Sequence, residues 1–212
     1  MKKDFIEPAS CADILSEISG YFGAPLERDE IQSMRNENCE TLLPALYGMP
    51  KFSKDVSQLR SILMGADGDE EAVSLLNRSY CHLFLGIGGA TGTTPIESAH
   101  IGTGRLFQEP EMEMTRLLAQ RGLKRDETFS EPPDHICIEL SYLEQLIRLD
   151  ATIFDVDEKK AIDDMLVRLN GWIPAFAQNC AMHDPSKFYA TLAGILVRLL
   201  SVIEPDEIRN AS

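Results

Sequence analysis

Apolar residues in this chain recur three or four positions apart, and no run alternates apolar with polar as a half-buried strand does. The spacing predicts an all-α fold. Ile14, Leu15, Ile18 and Phe22 form one stripe between Ser10 and Phe22, stopped by Gly23 and Pro25. Asp67, three residues ahead of Glu70, reads as a capping box leading into Val73, Leu76, Tyr80, Leu83 and Phe84, with Gly86 as the stop. Pro110, flanked by Glu109 and Glu111, opens a helix whose end suits Arg116, Arg121 and Gly122. Ile136, Leu140, Leu143 and Ile147 line a helix running to Asp150. Asp157 precedes another, through Met165 and Leu169, in which Gly171-Trp172-Ile173-Pro174 predicts a break or kink before Phe176. Asp184-Pro185 opens the last helix, with Phe188, Leu192, Ile195 or Leu196, Leu199 and Ile203 inward until Pro205.

A chain of 212 residues, 44% of them hydrophobic, is long enough to bury one sizeable core. The expectation is a single domain over 1–212, a helical bundle with a frayed tail from 204 to 212. Its longest irregular piece, Gly86 to Gln108, is a glycine-rich loop between the central helices, and loops of that length are usually functional. The tract from Phe188 to Ile203 falls short of the roughly 20 residues that cross a bilayer and contains Arg198, so it reads as a buried helix.

Charge and cysteine usage exclude several classes. Thirty-four Asp and Glu against twenty Lys and Arg give a formal net charge of -14, which repels a phosphate backbone and argues against nucleic acid as a partner. The same charge is either a well-solvated surface or one suited to a basic partner. Cys11, Cys39, Cys81, Cys137 and Cys180 show no paired spacing, so neither a disulfide framework nor a zinc site is written here, and a reducing compartment fits. Asp4, Glu7 and Asp13 interrupt what would be the apolar region of a signal peptide after Lys2 and Lys3.

Glu131-Pro132-Pro133-Asp134-His135 is the densest candidate for chemistry. Two prolines fix the chain direction at a helix entry and present an acid and an imidazole in a defined place. Neighbours on a helix point about 100° apart, so Asp134 and His135 are not a ready-made dyad. No serine or cysteine nearby is marked as an activated nucleophile, and no catalytic residue is assigned. One reading makes Asp134 a helix cap and His135 a partner of a neighbouring loop; the other makes both recognition residues.

His82, His100 and His183 lack metal-ligand spacing, and no metal or cofactor is implied. The loop over 86–94, with Thr91, Thr93 and Thr94, suggests a phosphate cradle, but a helix rather than a strand leads into it and no lysine follows. A nucleotide-dependent enzyme or switch is the alternative reading. Tyr80, Leu83, Phe84, Tyr142 and Trp172 suit a core, although Leu83 and Phe84 end a helix where apolar side chains can floor a peptide groove.

Phe129-Ser130-Glu131-Pro132-Pro133-Asp134-His135, followed by Ile136 and Leu140, resembles the signature of the TorD/DmsD family of redox-enzyme maturation chaperones. Tyr80-x-x-Leu83-Phe84 with Pro95-x-Glu97-Ser98, Leu117-Leu118 through Gly122-Leu123, Trp172-Ile173-Pro174-x-Phe176 and Phe188-Tyr189-Ala190 extend the resemblance over roughly residues 70 to 203. The glycines after Phe84 depart from the pattern, where bulkier residues are common.

The resemblance implies an all-helical, cytoplasmic chaperone without catalytic turnover or cofactor. It would bind the twin-arginine signal peptide and the apo form of a molybdopterin oxidoreductase, assist cofactor insertion and delay export. The residues carried over for peptide binding are Glu131, Pro132, Asp134 and His135, with Leu83, Phe84, Pro95 and Ser98. Guanidinium groups beside an apolar segment call for carboxylates beside a hydrophobic groove, which fits this set. A helical adaptor for another peptide is a further alternative. The long connection leaves a homodimer by exchange of elements open.

Overall fold

The computed structural model describes residues 6–36, 43–88, 93–101, 108–123, 129–153 and 156–203. It is all-α, as predicted, and among the described residues the only β feature is one isolated bridge. The elements in chain order are α1 (Pro8–Gly23), α2 (Arg28–Arg35), a 3-10 turn at Pro44–Leu46, α3 (Ser53–Gly65), α4 (Asp69–Phe84), a 3-10 turn at Glu97–Ala99, α5 (Glu109–Gln120), α6 (Ile136–Ile153), α7 (Val156–His183) and α8 (Phe188–Leu200).

Local chemistry accounts for most boundaries. Pro8 starts α1 and Pro110 lies in the first turn of α5, where a missing N–H costs nothing. The helix α2, which apolar periodicity passes over, is set by a capping box: the Glu27 N–H donates to the Glu30 carboxylate at 2.6 Å, and the Glu27 side chain caps in return. The capping box expected at Asp67 is not what starts α4. Gly68 is its N-cap at φ 92, a conformation that favours glycine, and the Asp67 N–H is taken by the Glu71 carboxylate instead. Gly122 at φ 66 follows α5 as the sequence predicts.

Of the break or kink expected near Pro174, the break does not occur, since α7 runs through it as one helix. An internal proline costs about 3 kcal/mol or more. Burial of Trp172, Ile173, Phe176 and Cys180 on both sides of Pro174 opposes that cost and keeps the helix in register. The entry to α8 is built by Asp184, whose Oδ1 accepts from the Ser186 N–H and hydroxyl at 2.9 and 2.8 Å and whose Oδ2 accepts from the Ala190 N–H at 2.9 Å. Lys187 bridges the two in a left-handed conformation.

One hydrophobic cluster runs through the described helices, with α1 on α6 and α7 on both α6 and α8. The α1–α6 contact is close: Ser19 Oγ donates to the Cys137 carbonyl at 3.1 Å and Cys137 Sγ donates to the Ser19 carbonyl at 3.0 Å. A Cβ on Gly23 would come within 3.3 Å of that sulfur. Phe22, Tyr80, Phe84, Phe176 and Tyr189 form an aromatic knot, with Tyr80 and Phe84 edge to face at 5.0 Å and Phe84 stacked on Phe176 at 6.1 Å. Cys11, Cys81, Cys137 and Cys180 are free thiols, while Cys39 and the tail expected to fray over 204–212 lie outside the described residues. Among the described residues no helix is long and apolar enough to cross a membrane.

Candidate functional site

The chain leaving α4 turns back on itself and meets the signature. Thr93 donates its N–H and its hydroxyl to the Leu83 carbonyl, at 3.0 and 3.3 Å, which returns the strand-like stretch 93–96 to the end of α4. Ile96 then pairs with His135 as an isolated antiparallel bridge, with the Ile136 N–H on the Pro95 carbonyl at 2.8 Å and the Glu97 N–H on the Asp134 carbonyl at 2.9 Å. Asp134 adds a side-chain bond, its Oδ2 accepting from the Ser98 N–H at 3.1 Å. This caps the Glu97–Ala99 turn, whose first donors have no partner of their own.

His135 turns elsewhere. Its backbone N–H donates to the Pro132 carbonyl at 3.0 Å, closing the turn the prolines prepare, and its Nδ1 accepts from the Cys137 N–H at 3.3 Å. Phe129 packs edge-on against the ring at 5.4 Å. Burial pushes the imidazole down to about 4. Asp134 and His135 thus serve different partners, one on the returning loop and one on the first turn of α6.

The eight residues carried over from the resemblance converge on this junction. Glu131 and Pro132 reach the surface in part, whereas Leu83, Phe84, Pro95, Ser98, Asp134 and His135 are buried. Phe84 belongs to the aromatic knot beneath. The apolar side chains that do face solvent are the next ones along, Leu85 at 56% exposed and Ile87 at 59%. Sequence reasoning stopped at Phe84, and the signal for the extension was the continuing run Leu85-Gly86-Ile87. Of the proposed nucleotide loop 86–94, residues 89–92 lie outside the described residues. Among the described residues there is no group of three or more His, Cys, Asp or Glu that could hold a metal ion.

A second network was not anticipated at all. Glu97, positioned by the Asp134 clamp, forms an ion pair with Arg168 of α7, and Arg168 Nε donates to Glu139 Oε1 of α6 at 2.9 Å. Glu139 Oε2 accepts from the Trp172 indole N–H at 3.0 Å, and Arg168 also donates to the Pro110 carbonyl at 2.7 Å. Burial, opposed by Arg168, lifts Glu139 well above the carboxylate range and raises Glu97 as well. Two buried acids share one guanidinium, and the charge on Glu97 makes Glu139 harder to ionise. Its members are scattered through the sequence, Glu139 on the otherwise apolar face of α6, which is the one pattern that could have drawn attention to it.

A family model described as nitrate reductase delta subunit matches residues 49–180, which reaches further toward the N-terminus than the motifs alone. The chain is 28% identical over 195 residues to the chaperone protein TorD of Photobacterium profundum, covering 88% of each chain. To the chaperone protein TorD of Aliivibrio fischeri it is 29% identical over 197 residues, covering 90% of this chain and 91% of the other. A crystal structure of a redox enzyme maturation protein from Archaeoglobus fulgidus shares the fold, with a TM-score of 0.56 at 19% identity over 90% of this chain and 93% of that one. The chain belongs to the nitrate reductase delta subunit family, the family of TorD-like redox-enzyme maturation chaperones.

Proposed function

We propose that this protein is a cytoplasmic chaperone that binds the twin-arginine signal peptide and the apo form of a molybdopterin oxidoreductase, assists insertion of the cofactor and delays export. The observation that carries the reading is the junction itself, in which residues 134–136 of the signature and its continuation are locked to the 95–98 stretch by three backbone and side-chain hydrogen bonds beside exposed Leu85 and Ile87. Glu131 and Pro132 form the reachable edge, and Asp134, His135, Leu83, Phe84, Pro95 and Ser98 set its shape from below.

Membership of a chaperone family supports a holding role over turnover, and the chemistry of the site agrees. His135 is pushed down to about 4 and the Cys137 thiol up to about 12, both by burial, so neither is poised near neutrality for proton transfer or attack. The net charge of -14 speeds encounter with a leader carrying two arginines. The four cysteines among the described residues are free thiols, which fits a reducing compartment.

Titration calorimetry with the twin-arginine leader of a molybdopterin oxidoreductase tests the proposal. Saturable one-to-one binding is expected, weakened by Glu131→Lys with the melting temperature unchanged. No heat with any twin-arginine leader would overturn it.

A further inference from the structure

Three adjoining cavities follow the line where α5 faces α6 and α7. The first, about 270 Å³, is lined by Glu97, Glu109, Glu113 and Arg168 beside Ile101 and Pro110. The second, about 700 Å³, shares Glu113 and Arg168 with the first and has Leu117 and Met165 in its walls. The third, about 220 Å³, shares Arg121 and Tyr142 with the second and ends on Leu123, Leu146 and Leu149. From Glu109 to Leu123 a helical rise is about 20 Å, a distance that roughly six residues of extended chain cover. The volume and length suit a peptide segment laid along α5.

Chemistry changes from one end to the other. At the first end Glu97 is taken up by Arg168 and Glu113 by Arg116, while Glu109 stands exposed at the mouth. Glu109 is the carboxylate that a further cation can reach there. In the middle the wall neutralises itself: Arg116 pairs with Glu113, Arg121 with Glu158 at 2.8 Å, and Lys160 with Asp164. Arg121 also donates to the Tyr142 hydroxyl at 2.9 Å, and both residues line the second and third cavities alike. The far end is leucine, and Leu149 is 42% exposed there.

We infer that this groove seats a peptide in extended form, a basic residue at the Glu97–Glu109–Glu113 end and the apolar stretch that follows it at the Leu123–Leu146–Leu149 end. The inference rests on the chaperone reading above and gives the leader a second contact face on the α5 side. A reversed peptide would set apolar side chains against carboxylates and a guanidinium against leucines, so the groove has one preferred direction. The signature takes part at a distance: Asp134 positions the turn that carries Glu97 and is a positioning residue for the acidic end.

The test uses the full chain and a fluorescent twin-arginine leader. Glu109→Lys and Leu149→Asp are both on exposed positions, so the fold is expected to survive, as circular dichroism and the melting temperature would verify. Each is expected to weaken binding by about fivefold or more, with the loss at Glu109 shrinking in high salt and the loss at Leu149 unaffected by it. Photo-crosslinkers at the same two positions give direction: the one at 109 should label the arginine end of the leader and the one at 149 its apolar stretch. Wild-type binding with both variants unchanged, or crosslinks in the opposite order, overturns the groove and leaves the chaperone reading intact. A wild-type protein that binds no leader overturns both.

Discussion

Asp134 Oδ2 accepts the backbone N–H of Ser98 at 3.1 Å, and both residues are buried. The bond joins the signature to the returning loop, so its loss acts on both. Asp134→Ala leaves a buried N–H without an acceptor and is expected to cost about 1–3 kcal/mol. Asp134→Asn, whose amide oxygen can still accept, should recover part of it. Urea denaturation measures both, and an alanine variant as stable as the wild type would show that the clamp contributes nothing.

His135 makes stability depend on acid. The unfolded imidazole takes up its proton near 6.5, the folded one only near 4 because burial disfavours the cation. Between those values the unfolded chain binds more protons, so stability falls as pH drops through the window and levels below it. The span corresponds to about 3 kcal/mol. His135→Met removes the titration, so the stability difference between wild type and variant should change by that amount between pH 7.5 and pH 4. A constant difference would mean the ring is not buried neutral.

The pair Glu97–Glu139 has the opposite sign. Both carboxyls are raised above their ordinary value of 4.5, so the folded state keeps a proton that the unfolded state has lost. Their contribution is present in acid and disappears as pH rises through the raised values. Glu97→Gln leaves a single carboxylate for Arg168 and removes one of the two raised carboxyls. Denaturation of both proteins across pH 4 to 8 should show the wild type losing ground relative to the variant on the alkaline side.

Asp184 holds the entry to α8 with three accepted hydrogen bonds. Asp184→Ala removes all of them beside a residue in left-handed conformation, and a loss of about 2 kcal/mol is expected. Hydrogen exchange should report it as faster opening of the amides of Phe188 and Ala190, before any change in α1.

The helices that bury a broad apolar stripe were legible because their period is local. That is why α1, α4, α6 and α8 could be read from Ile14, Leu76, Leu140 and Leu192 and their neighbours. Helix α2 escaped because its stability lies in the Glu27–Glu30 capping box and only Ile31 and Met34 face inward. The continuity of α7 through Pro174 was illegible for a different reason: proline is a local signal, and the burial that overrides it is tertiary. The signature was visible as a motif, yet the partner of Asp134 was not, since nothing near residue 134 indicates that Ser98 supplies the donor. The same holds for Glu97, Glu139, Arg168 and Trp172, which meet only once three elements are assembled.

The Ile96–His135 bridge divides the connection between α4 and α5 into two shorter spans anchored at a common midpoint. The entropy of closing a loop grows only with the logarithm of its length, about 0.6 kcal/mol per doubling. Each span can therefore change length independently, and an insertion on one side of the anchor leaves the register of the other untouched. Related chains can diverge widely in both spans while the turn carrying Glu97 stays where it is.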